Sequence, residues 1–471
     1  MILSFKVERL TLKVEFSEQI NIADSYFLCE AQRALRGSVW QVNCGFLRKN
    51  KTVMNLLYNS KDLGPLLEDI GNRAVVMLGE ASHGTHEFYT WRAQISKRLI
   101  EEKGFNFIAV EGDWPDCYKI NRYVKGYKDA GEDIEDVLKN FDRWPTWMWG
   151  NWEVAGLAEW MREFNKNLSA DKKAGFYGLD VYSLWDSMKA MMSYLETEDP
   201  QAAKSVRKAI HCFEPFNENE QHYARYTLND AGCRDEVLAL LREIRLKAQF
   251  LDGDREAGFN TEQNALIAVN AEKYYRTMIG FDNESWNVRD RHMMETLDRL
   301  MKFHGTKAKG IVWEHNTHIG DARATDMSRA GMVNIGELAR EQYGEENVYL
   351  CGFASFEGTV IAGEEWGAPM EVMDVPQARP GSIERRLHEE SNKNRYLLFS
   401  QDIDEAYFDK IPHRAIGVVY DPAMEKYGNY VPSLLPERYD AFVFIDQTKA
   451  LHPLPLHPDR RKVPETFPSD F

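Results

Sequence analysis

The stretch VVMLGEASHGTHEFYTWR, residues 75–92, decides the fold. Four apolar residues lead to Gly79, and a helical pattern begins near Thr85, which predicts a buried strand, a loop and a helix. The loop carries Glu80 and His83. A short apolar strand that leads through a loop into a helix is the repeating unit of a parallel sheet with crossover helices.

The same alternation recurs along the chain and predicts seven strands. They are Ala74–Leu78, Phe107–Val110, Gly175–Leu179, Gly310–Trp313, Val348–Gly352, Ile416–Tyr420 and Ala441–Ile445. Between Leu184 and Phe303 apolar residues instead repeat at three and four positions, the spacing of amphipathic helices. The sequence therefore predicts an α/β fold with a mainly parallel sheet, crossover helices and a central helical insertion.

These patterns divide the chain into five segments. Residues 1–53 contain eight Lys/Arg against five Asp/Glu, unlike the acidic remainder, and we expect an N-terminal appendage there. Residues 54–183 form a first α/β half, 184–305 the helical insertion and 306–450 a second α/β half. The proline-rich residues 451–471 predict an irregular tail.

Composition limits the classes of partner. The net charge of -16 repels phosphate backbones and anionic membranes, so we expect no nucleic acid and no membrane partner. No apolar run approaches the roughly 18 residues that a membrane-spanning helix needs. The six cysteines are scattered without a CxxC pair, which favours free thiols and a cytoplasmic location. The sequence predicts no particular oligomeric state.

Ionisable residues follow four predicted strands in succession. In open parallel sheets, ligands bind beyond the carboxyl ends of the strands, so these positions indicate a shared site. Any one of them has a simpler explanation as a turn or helix-capping residue, but four in succession favour chemistry. In strand order they are Glu80 and His83, Glu111 and Asp113, Asp180, and finally Glu314, His315 and His318.

The first segment supplies a candidate base. His83 lies near a helix amino terminus, whose partial positive charge favours the neutral imidazole that can accept a proton. The alternative is a loop histidine bonded to a backbone carbonyl, and for His86, in the first helical turn, simple exposure is the favoured explanation. Arg92 lies at a helical spacing that lets it reach back to Glu80; alternatively it pairs with a surface acid such as Glu101.

A buried carboxylate at Glu111 requires a cation or hydrogen bonds, and we expect Arg92 or His83 to supply them. Asp113 is better explained as a turn or capping residue. For Asp180, capping and catalysis are equally favoured by its place at a strand end.

Two further patterns keep alternatives open. A metal site would use the imidazoles and carboxylates of His83, His318, Glu80 and Glu111, although no HExxH motif occurs. Four tryptophans pack in the core or line an apolar cleft: Trp144, Trp147, Trp149 and Trp152.

At these segments the chain resembles the erythromycin esterase family. The family's strand, Gly, Glu, two small residues, His and later Arg correspond to Gly79, Glu80, Ala81, Ser82, His83 and Arg92. Its strand-ending glutamate, its Asn/His pattern and a helix containing WNVRD correspond to Glu111, Asn316, His318, Arg289 and Asp290. The resemblance spans residues 62–450 and is greatest to the broad bacterial branch rather than to the antibiotic-resistance members.

The resemblance implies an erythromycin esterase-like fold and a hydrolase that opens an ester or lactone without a metal or cofactor. A macrolide antibiotic is one candidate among such small molecules. Our hypothesis is that His83 deprotonates water, Glu80 and Glu111 hold the imidazole and the water, and Arg92 or His318 stabilises the oxyanion. Substrate binding is assigned to Asp180, Arg289, His315 and Trp114.

Three alternatives remain at this stage. Ser82 adjoins His83, but the GxSxG turn of serine esterases is absent around it. A metal-dependent hydrolase or transferase would use the same cleft. A non-catalytic protein that binds a polyketide or saccharide is the third alternative.

Overall fold

The structure, a computed structural model, describes residues 53–228, 232–248, 256–278, 283–459 and 462. The predicted appendage therefore lies outside the described residues, apart from residue 53. Within the described residues no helix is both long and apolar enough to cross a membrane.

A nine-stranded sheet organises the described chain, and a separate two-stranded sheet accompanies it. The strands are β1 (Asn55–Leu56), β2 (Val75–Leu78), β3 (Phe107–Asp113), β4 (Gly175–Asp180), β5 (Gly310–Trp313), β6 (Val348–Ala362), β7 (Glu371–Val375), β8 (Arg395–Leu398), β9 (Lys410–Arg414), β10 (Tyr430–Leu434) and β11 (Ala441–Thr448). The large sheet has the order β1-β8-β11-β6-β2-β5-β3-β4, with β7 paired to β6, and β10 pairs with β9.

Helices cover the sheet and fill the interval between β4 and β5. They are α1 (Gly64–Ile70), α2 (His86–Lys103), α3 (Trp114–Lys125), α4 (Ile134–Leu138), α5 (Trp152–Asn165), α6 (Leu184–Glu198), α7 (Pro200–Phe213), α8 (Glu220–Thr227), α9 (Arg234–Lys247), α10 (Ala257–Thr277), α11 (Glu284–His304), α12 (Asn316–Ile319), α13 (Ile335–Tyr343), α14 (Ile383–Glu390), α15 (Glu425–Gly428) and α16 (Leu435–Arg438).

The predicted fold class is confirmed. The strands β11, β6, β2, β5, β3 and β4 run parallel, and helices α6 to α11 form the predicted insertion. Six of the seven predicted strands occur, some of them longer than expected. The strand predicted at Ile416–Tyr420 is wrong: Ile416 and Val419 make only isolated bridges. Burial of this apolar segment explains its composition, but among the described residues no strand runs beside it to form a ladder.

Alternate residues of the central strands enter two different cores. Val76 and Leu78 pack with α1, α2 and α5 on one face, whereas Val75 and Met77 pack with α11 and α13 on the other. Because both faces are covered, the strands are apolar throughout, as is typical of parallel sheets. A third core lies among the helices of the insertion.

A disulfide in the insertion corrects the prediction of free thiols. Cys212 at the end of α7 bonds to Cys233 just before α9, with a Cα–Cα distance of 5.8 Å. The cysteines are 21 residues apart, a separation without a motif, and helix packing brings them together. Cys351 is buried and forms no disulfide within the described residues, in agreement with the prediction, whereas Cys29 and Cys44 lie outside the described residues.

The order of strands explains why the strand-end residues meet. The four strands that carry them are adjacent, in the order β2, β5, β3 and β4. Leu78 pairs with Trp313, and Trp313 in turn pairs with Val110. These strands are therefore in register at their carboxyl ends, and the polar residues that follow emerge side by side.

Gly79 provides the space for this arrangement. A Cβ built on Gly79 would lie 2.1 Å from Oδ1 of Asn316. That amide holds the loop after β5 against β6, because its Nδ2 donates to the carbonyl of Phe353 at 2.7 Å and its Oδ1 accepts from the Phe353 N–H at 3.2 Å. Any side chain at position 79 therefore displaces the Asn316 amide, which joins the loop after β5 to β6.

We expect Gly79→Ala to lower the free energy of unfolding by about 1–3 kcal/mol, because the packed loop must shift to admit a methyl group. Thermal or urea unfolding measures the effect. Gly156→Ala is the control, since its Cβ meets nothing within 4 Å and it lies within α5. That variant should keep or slightly raise stability, by up to about 1 kcal/mol. Equal effects of the two substitutions would contradict the proposed role of Gly79.

Candidate active site

His83, Glu80 and Arg92 form a hydrogen-bonded chain at the end of β2. Oε1 of Glu80 accepts a hydrogen bond from Nδ1 of His83 at 2.9 Å, and its Oε2 accepts one from Nη2 of Arg92 at 2.5 Å. A carboxylate only accepts, so Nδ1 of His83 carries the proton and the basic lone pair of the neutral ring is on Nε2. The predicted contact of Arg92 with the loop is confirmed.

Two aromatic rings hold Arg92 in place. Its guanidinium carbon lies 4.4 Å from the ring centroid of Tyr89 and 4.8 Å from that of Trp313. The side chain is fully buried. These cation–π contacts and the Glu80 ion pair offset the cost of burying the charge.

Arg289 of α11 joins the ends of β3 and β4. Its Nη2 lies 2.7 Å from both Oε1 of Glu111 and Oδ2 of Asp180, and its Nε donates to Oδ1 of Asp180 at 3.0 Å. The ring of Tyr182 lies 5.1 Å from the guanidinium carbon. We expected Arg92 or His83 to pair with Glu111. The structure corrects this, because the insertion places Arg289 nearer.

His318 joins Arg289 to a further carboxylate. Its Nδ1 lies 3.0 Å from both oxygens of Asp290, and Nη1 of Arg289 donates to its Nε2 at 3.1 Å. Burial opposes protonation, but Asp290 and Glu111 together raise the pKa of His318. Although these carboxylates favour the protonated ring, the guanidinium of Arg289 can only donate, so its contact with Nε2 favours a neutral ring with the lone pair on that nitrogen. Trp286 stacks on this ring at 4.5 Å.

His315 connects the two halves of the site. Its ring centroid lies 4.9 Å from that of His83, and its backbone N–H donates to Oε2 of Glu111 at 2.8 Å. Nδ1 of His315 accepts from the backbone N–H of Thr317 at 3.4 Å and lies 2.8 Å from its hydroxyl. An Nδ1 that accepts leaves the ring proton on Nε2, the opposite tautomer to that of His83.

Glu314 adds a buried acid of a different kind. Among the described residues, neither of its carboxyl oxygens has a hydrogen-bond partner. Burial, reinforced by the nearby charges of Glu111 and Asp290, raises the pKa of Glu314 well above its usual range. The neutral acid is cheaper to bury than the carboxylate, so the protonated form is favoured here.

The other sequence candidates lie around this cluster. Asp113 pairs with Arg143 at 3.3 Å, and burial raises its pKa to about 8. Trp114 packs elsewhere, stacked on Tyr118 and Tyr177, with its indole N–H donating to Asn260. Of the four tryptophans, three are buried and Trp152 is about half exposed; the indole of Trp149 donates to the backbone carbonyl of Glu111 at 2.9 Å.

Sequence analysis missed the partners of His315 and His318, which are Thr317 and Asp290. Thr317 lies inside the recognised histidine segment, but its contact depends on how the loop after β5 turns into α12. Asp290 was noted only within a helix that resembles the family. An acid next to an arginine on an otherwise apolar helix face is a pattern that could have identified Asp290 as a buried partner in the site.

Guanidinium groups occupy the positions between the carboxylates. Within the described part of the chain, His83, His318, Glu80 and Glu111 do not form a group whose ligand atoms lie within 4.8 Å of one another. Arg92 and Arg289 instead supply the positive charge to these acids. The alternative metal site at this place therefore lacks the necessary ligand geometry.

Sequence comparisons give consistent results. The family model described as "Erythromycin esterase" matches residues 100–448. The chain is 23% identical to an erythromycin esterase type II of Escherichia coli over 363 residues, which cover 72% of this chain and 84% of the relative. It is 21% identical over 411 residues to a putative hydrolase, YbfO, of Bacillus subtilis (strain 168), with coverages of 82% and 86%.

Solved structures share the fold. A Bacillus cereus protein superimposes with a TM-score of 0.71 at 19% identity, covering 85% of this chain and 96% of its own. A succinoglycan biosynthesis protein gives 0.68 at 22% identity, with coverages of 85% and 95%. An erythromycin esterase variant in its open conformation gives 0.61 at 17% identity, with coverages of 84% and 97%.

We expect Arg289→Leu to lower the free energy of unfolding by about 3–5 kcal/mol at neutral pH, because it leaves Glu111 and Asp180 buried without their cation. Denaturant unfolding at neutral pH measures the effect. The exposed pair of Arg207 and Glu196 supplies the control: Arg207→Leu should cost less than about 1 kcal/mol. Equal losses would contradict the central role of Arg289.

Proposed function

This chain belongs to the erythromycin esterase family, and on that premise we propose that it cleaves a carboxylic ester or lactone with water activated by His83. Membership of the family supports a hydrolase. The nature of the bond and the role of each residue are our proposal. A macrolide lactone is one candidate substrate, since the Escherichia coli relative is an erythromycin esterase.

One observation carries the proposal: two neighbouring imidazoles have hydrogen-bond partners that favour opposite tautomers. The contact with Glu80 favours the proton of His83 on Nδ1, so its Nε2 would act as the base. The N–H of Thr317, which donates to Nδ1 of His315, favours the proton of that ring on Nε2, which would then donate. The ring centroids are 4.9 Å apart, so both nitrogens could reach one carbonyl group and its attacking water.

In this mechanism His83 takes a proton from water as the oxygen attacks the carbonyl carbon. The negative charge of Glu80 then stabilises the imidazolium, while Arg92 holds the carboxylate in position. Collapse of the tetrahedral intermediate expels the alkoxide, which takes the proton from His83. The products are a carboxylic acid and an alcohol, and the base is restored.

The oxyanion is assigned to His315 rather than to our earlier candidates. His318 accepts from Arg289 through Nε2 and so has no proton there to donate. Arg92 donates to Glu80 through Nη2, and its guanidinium group faces two aromatic rings. The ring of His315 is centred 4.9 Å from that of His83, so its Nε2–H is assigned as the oxyanion donor.

Substrate entry requires movement. The side chains of His83, Glu80, Arg289 and His318 have no more than 1% exposure. The solved erythromycin esterase variant is described in an open conformation, and a comparable opening would admit the ester here. Water exclusion in the closed state would strengthen every charge interaction around the carbonyl.

We expect His83→Ala to lower turnover by about 10²–10⁴-fold, the usual contribution of a general base. A panel of lactones and esters, with mass-spectrometric detection of added water, identifies a substrate and gives the rate. His211→Ala is the matched control, because His211 is an exposed histidine whose Nδ1 also contacts a glutamate. Unchanged turnover in His83→Ala, with a normal unfolding midpoint, would end the proposal.

We expect His315→Ala to reduce kcat by about 10²–10³-fold with little change in KM, because the donor acts on charge that develops only in the transition state. His315→Gln, whose amide can donate, should recover part of the loss. A change confined to KM would instead indicate that His315 only binds the ground state.

A further inference from the structure

We propose that a divalent transition-metal ion of the Zn²⁺ class binds to His86, Glu153 and His452, at a site separate from the candidate active site. Nδ1 of His86 and Nδ1 of His452 lie 2.6 and 2.7 Å from the same oxygen, Oε1 of Glu153. One ligand atom from each residue lies within 4.8 Å of the others. Two imidazoles and one carboxylate are a ligand set that zinc uses in proteins.

Backbone hydrogen bonds bring these three residues together before any ion binds. The N–H of His86 donates to the carbonyl of Lys449 at 2.8 Å, and the N–H of Trp152 donates to the carbonyl of His452 at 3.0 Å. Bridges also pair Thr85 with Ala450 and Asn151 with Pro453. The segment after β11 is thus joined to the starts of α2 and α5, and the ligands are held by main chain rather than by flexible side chains alone.

The unsatisfied oxygen of Glu153 points to a missing partner. Both imidazoles contact Oε1 of Glu153 through their Nδ1 atoms. Its Oε2 is buried and has no hydrogen-bond partner among the described residues. The Glu153 side chain is only 6% exposed, while those of His86 and His452 are 32% and 60% exposed. A buried carboxylate between two accessible imidazoles is costly unless a cation joins them.

Neighbouring groups suit a metal ion as well. Nε2 of His86 lies 3.5 Å from the hydroxyl of Thr90, the type of outer contact that orients a ligating imidazole. A surface cavity of about 300 Å³ is lined by all three ligands, so water can complete the coordination. Tetrahedral zinc ligands at about 2.1 Å from the ion are about 3.4 Å apart, so the imidazole nitrogens must each move about 0.7 Å from Oε1 of Glu153, which side-chain rotation provides.

Imidazole nitrogens favour zinc and its neighbours over calcium or magnesium, which prefer oxygen ligands. On binding, the ion displaces the hydrogen-bonded protons of the imidazoles, which pass to solvent. The ion would clamp the segment that carries His452 to the loop that carries His83, three residues before His86. The inference does not depend on the proposed hydrolysis.

Calorimetric titration of the metal-free full-length chain with Zn²⁺ alone tests the site. We expect one ion per chain, with micromolar or tighter affinity, and a higher unfolding midpoint with Zn²⁺ than without it. His452→Ala should weaken binding by about 100-fold or more and abolish the rise in midpoint. This variant removes an exposed side chain and leaves the fold intact.

Two control variants separate this site from other histidines. His211→Ala removes an exposed histidine that contacts Glu214 at 2.6 Å, and we expect it to bind Zn²⁺ like the natural chain. His83→Ala should also bind normally, because the candidate active site is separate. Binding weaker than millimolar, or equal affinity in His452→Ala and the natural chain, would overturn the inference. Loss of binding in His83→Ala would do so too, because it would place the ion in the active site.

Discussion

The site depends on positive charge that compensates several carboxylates, which lie together at one buried edge of the parallel sheet. Adjacent strands in register bring Glu80, Glu111 and Asp180 side by side, where negative charges repel one another and have lost their water. Arg92 compensates the first and Arg289 the other two. Without these guanidinium groups, burial of the three carboxylates at the sheet edge would strongly destabilise the fold.

The same carboxylates determine what the histidines can do. Glu80 leaves a basic nitrogen on His83, and Asp290 with Arg289 occupies both nitrogens of His318. Three imidazoles of similar intrinsic pKa therefore differ in role because their hydrogen-bond partners differ. In His315 the N–H of Thr317 donates to Nδ1, so the ring proton is assigned to Nε2, the nitrogen that points away from Thr317. The proton-transfer role of each histidine is therefore set by its hydrogen-bond partners and not by its residue type.

The position of His86 shows how the loop that carries His83 is joined to the rest of the molecule. Three residues after His83, it contacts Glu153 of α5, and that glutamate also contacts His452 in the segment after β11. Backbone hydrogen bonds follow the same route. The loop is therefore restrained from outside the sheet as well as by Gly79 and Asn316 within it, and its geometry depends on segments from three regions of the chain.

The sequence alone determined the elements and their polar ends. Apolar runs such as Gly310–Trp313 and helical repeats depend on local periodicity, so the sheet, the insertion and the chemically important strand ends were predictable. The tertiary structure decided which partner each charge received. Glu111 pairs with Arg289, 178 residues away, because helix α11 packs over β4 and not because of any local spacing. The tautomers, the Cys212–Cys233 bond and the His86 cluster likewise arise from contacts between distant segments, which a one-dimensional pattern does not encode.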